Sequence, residues 1–218
     1  MDATVCDAHI KYPTDLNLLN GGREKSEQII DSLCQGLSVT KPRTYRIQAR
    51  KSWINLSKSK KNSKKKMRKG LKQQLNYVKR NLKSIDTIIE NHSQALSKLD
   101  KHQYRYLSIV SELYRQQLEM HQENKHSIAH RIVSIHQPHV RPIVRGKSGK
   151  NVEFGAKINV SLENGYARID QFNFEAFNEG TCMMEQLENY NKLHGYYPEL
   201  AQSGRRCGGC HLFDSRKS

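Results

Sequence analysis

The chain has 218 residues, enough for one domain of ordinary size or one domain carrying an insertion. Its apolar fraction is low at 36 % and its formal net charge is +16, which excludes a neutral enzyme surface and points to a polyanionic partner, nucleic acid ahead of membrane. No stretch reads as a transmembrane helix, the start is neither basic nor apolar enough for a signal peptide, and five irregularly spaced cysteines give no disulfide framework, so a cytoplasmic chain without membrane contact is expected.

In chain order, residues 3–8 read as a short extended piece. Tyr12-Pro13 then breaks any helix, and Thr14 or Asp15 can cap one that starts near Leu16. Ile29, Ile30, Leu33, Cys34 and Leu37 fall at helical spacing, with Gly36 or Pro42 ending the segment. Residues 41–83 contain no Asp or Glu and hold 17 of the 37 Lys and Arg. Within them the run Lys58, Lys60, Lys61, Lys64, Lys65, Lys66, Arg68 and Lys69 is the strongest binding signal, to be weighed against a merely solvated linker. Tyr45 and Trp53 nearby are candidates for stacking on bases.

From Leu71 through Leu75, Val78, Leu82, Ile85, Ile89, His92, Leu96 and Leu99, and on to Gln103, Tyr106, Val110 and Leu113, one seam alternates spacings of four and three, which predicts a single long helix. Its apolar edge serves either as core packing or as a dimerising coiled coil. His126 and His130 are four apart, as zinc ligation on a helix face needs, but no acidic or thiol ligand accompanies them at a recognised spacing.

From Val152 to Leu162 every second residue is apolar, Asn164-Gly165 supplies a two-residue type I′ turn, and a second strand runs from Tyr166 towards Phe177. Pairing out from that turn sets Leu162 against Ala167 and Val160 against Ile169, but then brings Ile158 opposite Gln171. One extra residue near Asp170 or Gln171 restores apolar pairing of Ile158 with Phe172, so a β-bulge is expected there. Asn178 or Thr181 can cap a following helix through Met183, Met184, Leu187, Tyr190 and Leu193, closed by Gly195. Beyond Pro198 no apolar run is long enough for a buried strand, and residues 200–218 read as an aberrant, disordered tail. Its Cys207-Gly-Gly-Cys-His211 matches a haem-attachment pattern and half a zinc site, with chance the better account.

Four blocks carry a family likeness: Asp2-Ala-Thr-Val with Tyr12-Pro-Thr-Asp-Leu-Asn-Leu-Leu-Asn; Gln137-Pro-His-Val-Arg-Pro-Ile-Val-Arg-Gly-Lys147; Phe154-Gly-Ala-Lys157; and Gly195-Tyr-Tyr-Pro198. Together, over residues 1–199, they resemble bacterial insertion-sequence transposases of the DDE class. The resemblance implies an α/β (α+β) fold: a partial RNase H-like sheet, with a β-hairpin at about 152–177, interrupted by a large, mostly helical insertion. The implied divisions are residues 1–15 for the first strand and loop, 16–135 for the insertion with its basic segment, and 136–199 for the hairpin and helix of the core. It further implies Mg²⁺ held by three carboxylates, with Asp2 matching the first as catalytic residue and metal ligand, and DNA contacts from Arg141, Arg145 and Lys147. Partners would be insertion-sequence ends and target DNA, with a homo-oligomer in view.

The departures are as informative. After Gly195-Tyr-Tyr-Pro198 no Asp occurs until Asp214, and the later Glu has no counterpart, so the expectation is an inactive fragment shortened at both ends. The alternative is a non-enzymatic basic helical protein that binds nucleic acid or self-associates through the Leu71-to-Leu113 seam.

Overall fold

A computed structural model describes residues 2–59, 61–144, 152–202 and 212–214. The chain divides into two compact units, one formed by Met1–His9 with His139–Ser218 and the other by Ile10–Pro138. Among the described residues the architecture is mixed α+β, five helices with a four-stranded antiparallel open sheet, and no helix is long and apolar enough to cross a membrane.

The Ile10–Pro138 unit is built on α1 (Asp15–Leu37), capped by Thr14, whose hydroxyl accepts the Asn17 N–H at 3.2 Å. The helix runs straight through Gly21-Gly22, where the sequence suggested two separate segments. Side chains are absent there because neighbours press in: a Cβ on Gly21 would meet Ile135 at 3.0 Å, and one on Gly22 would meet Leu113 at 3.2 Å. Leu18, Leu19, Ile29, Ile30 and Leu33 are all buried, and each joins an apolar cluster with α3 (Lys64–Asn91), α4 (Lys101–Glu123) or the segment that follows α4.

The long seam is therefore folded back on itself. α3 stops at Asn91, a 3₁₀ turn at Ala95–Lys98 reverses the chain, and α4 starts behind a capping box. The Asp100 carboxylate accepts the Gln103 N–H at 2.8 Å, and the Gln103 side chain accepts the Asp100 N–H at 3.1 Å. The seam is broken in the turn, where Leu96 is 41 % exposed and its neighbour Ala95 is buried instead, and it resumes at Leu99 against the core. Leu75, Val78, Ile85, Val110 and Leu113 are all buried within the chain, so these seam positions serve as core packing. α2 (Arg46–Ser57), lying in the acid-free stretch ahead of the basic run, carries no strong apolar stripe and buries just Ala49 and Leu56.

The core of this unit is also polar. Arg23 is 1 % exposed and Glu27 5 %, joined at 2.6 Å across one helical turn, with Asn20 accepting a second guanidinium bond at 2.8 Å. Asn81 of α3 donates to Ser26 at 2.9 Å and Gln74 donates to the Ala49 carbonyl at 3.1 Å, which fixes α3 in register against α1 and α2.

In the other unit β1 (Asp2–Asp7) and β2 (Arg141–Val144) both pair antiparallel with β3 (Val152–Glu163), which also pairs with β4 (Tyr166–Asn173). The hairpin takes the expected register. Leu162 faces Ala167, Val160 faces Ile169, Asn159 faces Gln171 and Ile158 faces Phe172, leaving Asp170 as the extra residue of a bulge. Asn164 and Gly165 both have positive φ, 49° and 84°, as a type I′ turn needs. β4 ends at Asn173, short of Phe177.

α5 (Met183–His194) follows a 3₁₀ turn at Glu179–Thr181 and is closed by Gly195 at φ 80°, as expected. It bonds to the polar side of the hairpin: Gln186 donates to Asp170 at 2.7 Å and Cys182 to Gln171 at 2.8 Å. The alternating apolar face is consequently left open at its far end, where Leu162 is 70 % exposed, Ile169 61 % and Phe172 58 %. A half-buried hairpin was expected with that face inward.

Two further expectations are corrected. A strand does follow Pro198: β5 (Leu200–Gln202) pairs antiparallel with β6 (Leu212–Asp214) in a separate two-stranded sheet, so residues 200–218 are not wholly irregular, and Asp214 ends a strand opposite Leu200. His126 and His130 lie beyond α4, which Asn124 terminates in the left-handed region, so they share no helix face. Cys207-Gly-Gly-Cys-His211 lies outside the described residues.

Two substitutions test this packing. Arg23→Ala leaves the Glu27 carboxylate buried with Arg46 still 3.7 Å away, and should cost about 3 kcal/mol in urea unfolding, whereas Arg115→Ala, in its exposed pair with Glu112, should leave the urea midpoint nearly unchanged. Gly155→Ala places a Cβ 2.0 Å from the Cys6 carbonyl of β1 and should destabilise by about 2–3 kcal/mol; an unchanged urea midpoint would refute that strand packing.

Candidate nucleic-acid interface and carboxylate pocket

The basic residues singled out in the sequence divide between the two units. Lys58 caps the end of α2, Lys61 precedes α3, and Lys64, Lys65, Lys66, Arg68 and Lys69 form the first turns of α3, all exposed. Lys60, Arg145 and Lys147 lie outside the described residues. Arg141, in β2, donates its Nε to Glu175 at 3.1 Å.

Beyond the run, Lys72, Lys79 and Lys83 continue the pattern. With Lys69 and Asn76 they follow spacings of three and four on the side of α3 away from its buried face of Gln74, Leu75, Val78 and Ile85, and all five are exposed. From Lys69 to Lys83 this outer seam extends ~21 Å at 1.5 Å per residue. It was legible as the mirror of the inner seam, a second set of residues in the same periodicity.

The electrostatics of α3 are unfavourable without a partner. Lys64, Lys65 and Lys66 sit at the positive end of the helix dipole, where cations destabilise. Ser63 relieves one orphan N–H by accepting from Lys66 at 3.2 Å, but supplies no charge. Carboxylates reach the acid-free stretch from α1. Asp31 receives Arg46 at 2.6 Å and Lys41 at 2.5 Å. Burial raises the Asp31 carboxyl, yet Arg46 and Lys41 outweigh it and hold the group below the ordinary carboxylate range. That pairing adds stability above the unfolded carboxylate pKa and loses it as pH falls through the lower folded value. Among the described residues, Lys69, Lys72, Lys79 and Lys83 form no ion pair.

The aromatic candidates are occupied. Arg43 and Arg80 each place a guanidinium 4.4 Å from the Tyr45 ring centroid, and Trp53 donates its indole N–H to Asn17 at 3.1 Å. The Tyr45 ring is thus engaged by cations within the unit, while the Trp53 bond lies in the ring plane and fixes the orientation of the indole.

Asp2 stands at the start of β1, exposed, with Oδ1 accepting the Ala3 N–H at 2.9 Å. It lines a cavity of about 570 Å³ together with Glu163, Arg168, Gln186, Tyr190 and Leu200. Glu163 lies 3.2 Å from His194. Asp170, its side chain 2 % exposed, is saturated by Arg168 at 2.8 Å and Gln186 at 2.7 Å. Loss of solvation, with Tyr196 and Glu163 beside it, pushes the Tyr190 phenol up to about 12, so it is protonated at neutral pH.

A magnesium ion asks for several convergent oxygen donors. Among the described residues no three of His, Cys, Asp or Glu gather in one place, and the carboxylates nearest Asp2 are committed to basic or amide partners. These residues do not fit the ion that the resemblance implies. Comparison with known families, curated proteins and solved structures found no family, protein or structure that matches this chain. Adding Mg²⁺ should leave the melting temperature where NaCl of equal ionic strength leaves it; a magnesium-specific rise would show that the carboxylates do assemble a site.

Proposed function

We propose that the chain is a DNA-binding relative of DDE-class insertion-sequence transposases, gripping the phosphate backbone through the outer seam of α3. The observation that carries the reading is the exposed row Lys69, Lys72, Lys79 and Lys83 on one helix face, in a stretch with no acid between residues 41 and 83. Phosphate contacts of this kind position a duplex without reading its sequence.

Descent from a transposase is supported by the chain path. A first strand carrying Asp2 pairs antiparallel with the long β3–β4 hairpin, and the helical unit enters the sequence between β1 and the rest of that sheet. That is the order a partial RNase H-like sheet with a helical insertion requires. In this reading Asp2 is the carboxylate of the first catalytic position, and the chain binds DNA without cutting or joining it, because one free carboxylate cannot hold two divalent cations in a defined geometry.

With four phosphates neutralised, log affinity for duplex DNA should fall against log salt with a slope of about −3.6, roughly a hundred-fold or more between 50 and 200 mM, and show little sequence preference. Replacing the four lysines by Gln should flatten most of that slope at unchanged fold. A wild-type affinity indifferent to salt would refute the reading, and magnesium-dependent strand cleavage by the purified chain would refute its catalytic half.

A further inference from the structure

A second feature lies at the start of α3, inside the Ile10–Pro138 unit. α1, the first turns of α3 and the end of α4 enclose a cavity of about 730 Å³, within the size range of small-molecule sites. Its floor is apolar, made by Leu19, Leu71, Leu75 and Met120, of which Leu19, Leu75 and Met120 are buried. Its rim is cationic, made by Lys64, Lys65 and Arg68, all exposed.

The cavity's own groups leave that charge uncompensated. Asp15 is the acid on its wall, and its Oδ1 already accepts Gln117 at 2.9 Å and Arg131 at 2.7 Å. Arg68 spends its guanidinium on neutral acceptors, the Asn124 side chain at 3.2 Å and the His121 carbonyl at 3.4 Å. Lys125 is discounted, because Glu123 pairs with it at 2.5 Å. His121, also on the wall, has a ring Nε2 shielded from solvent and without a hydrogen-bond partner.

An occupant must therefore combine an apolar body for the floor with an anion for the rim. Inorganic anions fill the second requirement and a hydrophobic ligand the first. We infer that this cavity is a binding site for a nucleoside phosphate, its base on the Leu19, Leu71 and Met120 floor and its phosphate between Lys64 and Arg68. The inference rests on the nucleic-acid reading of α3 for the choice of a nucleotide over other amphiphilic anions, and the same chemistry is offered by a free mononucleotide or by the last nucleotide of a strand.

His121 supplies an internal reporter. Burial first, then Arg68 and Lys72, hold its imidazole below the ordinary histidine range, and the other charged or titratable groups around it are Lys64, Lys65, Lys125, His126 and Asp15. A phosphate on the rim screens those cations and moves the His121 titration upward.

The test uses the full chain, with adenosine monophosphate, adenosine, inorganic phosphate and a 5′-phosphorylated oligothymidylate as probes, read by calorimetry and by the His121 ring proton in NMR. The monophosphate should bind at least ten-fold tighter than either adenosine or phosphate, and raise the His121 pKa. Lys64→Gln with Arg68→Gln, both exposed, should weaken it at least ten-fold, whereas Lys69, Lys79 and Lys83→Gln, which keeps Lys72 near His121, should leave it unchanged while weakening duplex binding. Tighter binding of the oligonucleotide than of the monophosphate assigns the cavity to a strand end, and the reverse order to a free nucleotide. Phosphate binding as tightly as the monophosphate, or a double variant with unaltered affinity, overturns the inference. Duplex binding indifferent to the three-lysine variant, beside an intact monophosphate site, overturns the proposed seam alone.

Discussion

The stretch from Lys41 to Lys83 cannot neutralise itself, because it contains no carboxylate. Compensation has to be imported, and α1 is the source: Asp31 takes Lys41 and Arg46, and Glu27 lies near Arg46 while holding the buried Arg23. This supply reaches the cations beside α1. Those on the far side of α3 are a helix diameter away, so the same packing that settles the inner charges fixes the outer ones as an uncompensated row. Burial of α1 thus sets both the stability of the helical unit and the surface it offers.

The sheet unit shows a complementary imbalance. Its hairpin is patterned for a partner on the alternating apolar face, yet α5 docks on the polar face through Asp170 and Gln171. The bulge at Asp170 makes that docking possible, since the extra residue gives Gln186 a buried carboxylate to meet while the apolar residues on both sides of it keep to one face. Leu162, Ile169 and Phe172 remain open. Asp2 stands on a neighbouring strand of that sheet, where Asp170 is already bonded to Arg168 and Gln186.

Where one local rule sufficed, the sequence was readable. Alternation, Asn164-Gly165 and the need to keep parity across the hairpin located the turn, the register and the bulge. Gly195 closed α5 where expected. A periodicity of four and three cannot tell one long helix from two joined by a tight turn, and the signal that decides it, the capping box of Asp100 with the seam residue Gln103, is local and depends on Asp100, which lies outside the seam. α2 went unread because it carries no strong apolar stripe and buries just Ala49 and Leu56. Buried Arg23, Gln74 and Asn81 were invisible to any reading that equates polar with exposed, since each depends on a partner from elsewhere in the fold or on an adjacent turn. The outer lysines of α3 were within reach, once its inner seam was drawn.

The central claim, that one face of α3 meets a polyanion, is tested most directly by lysine acetylation footprinting with mass spectrometry, with and without a random-sequence duplex. Protection concentrated on Lys69, Lys72, Lys79 and Lys83, with exposed Lys98, Lys101 and Lys192 modified at unchanged rates, is the result predicted. Equal protection of all these lysines, or none, would contradict it.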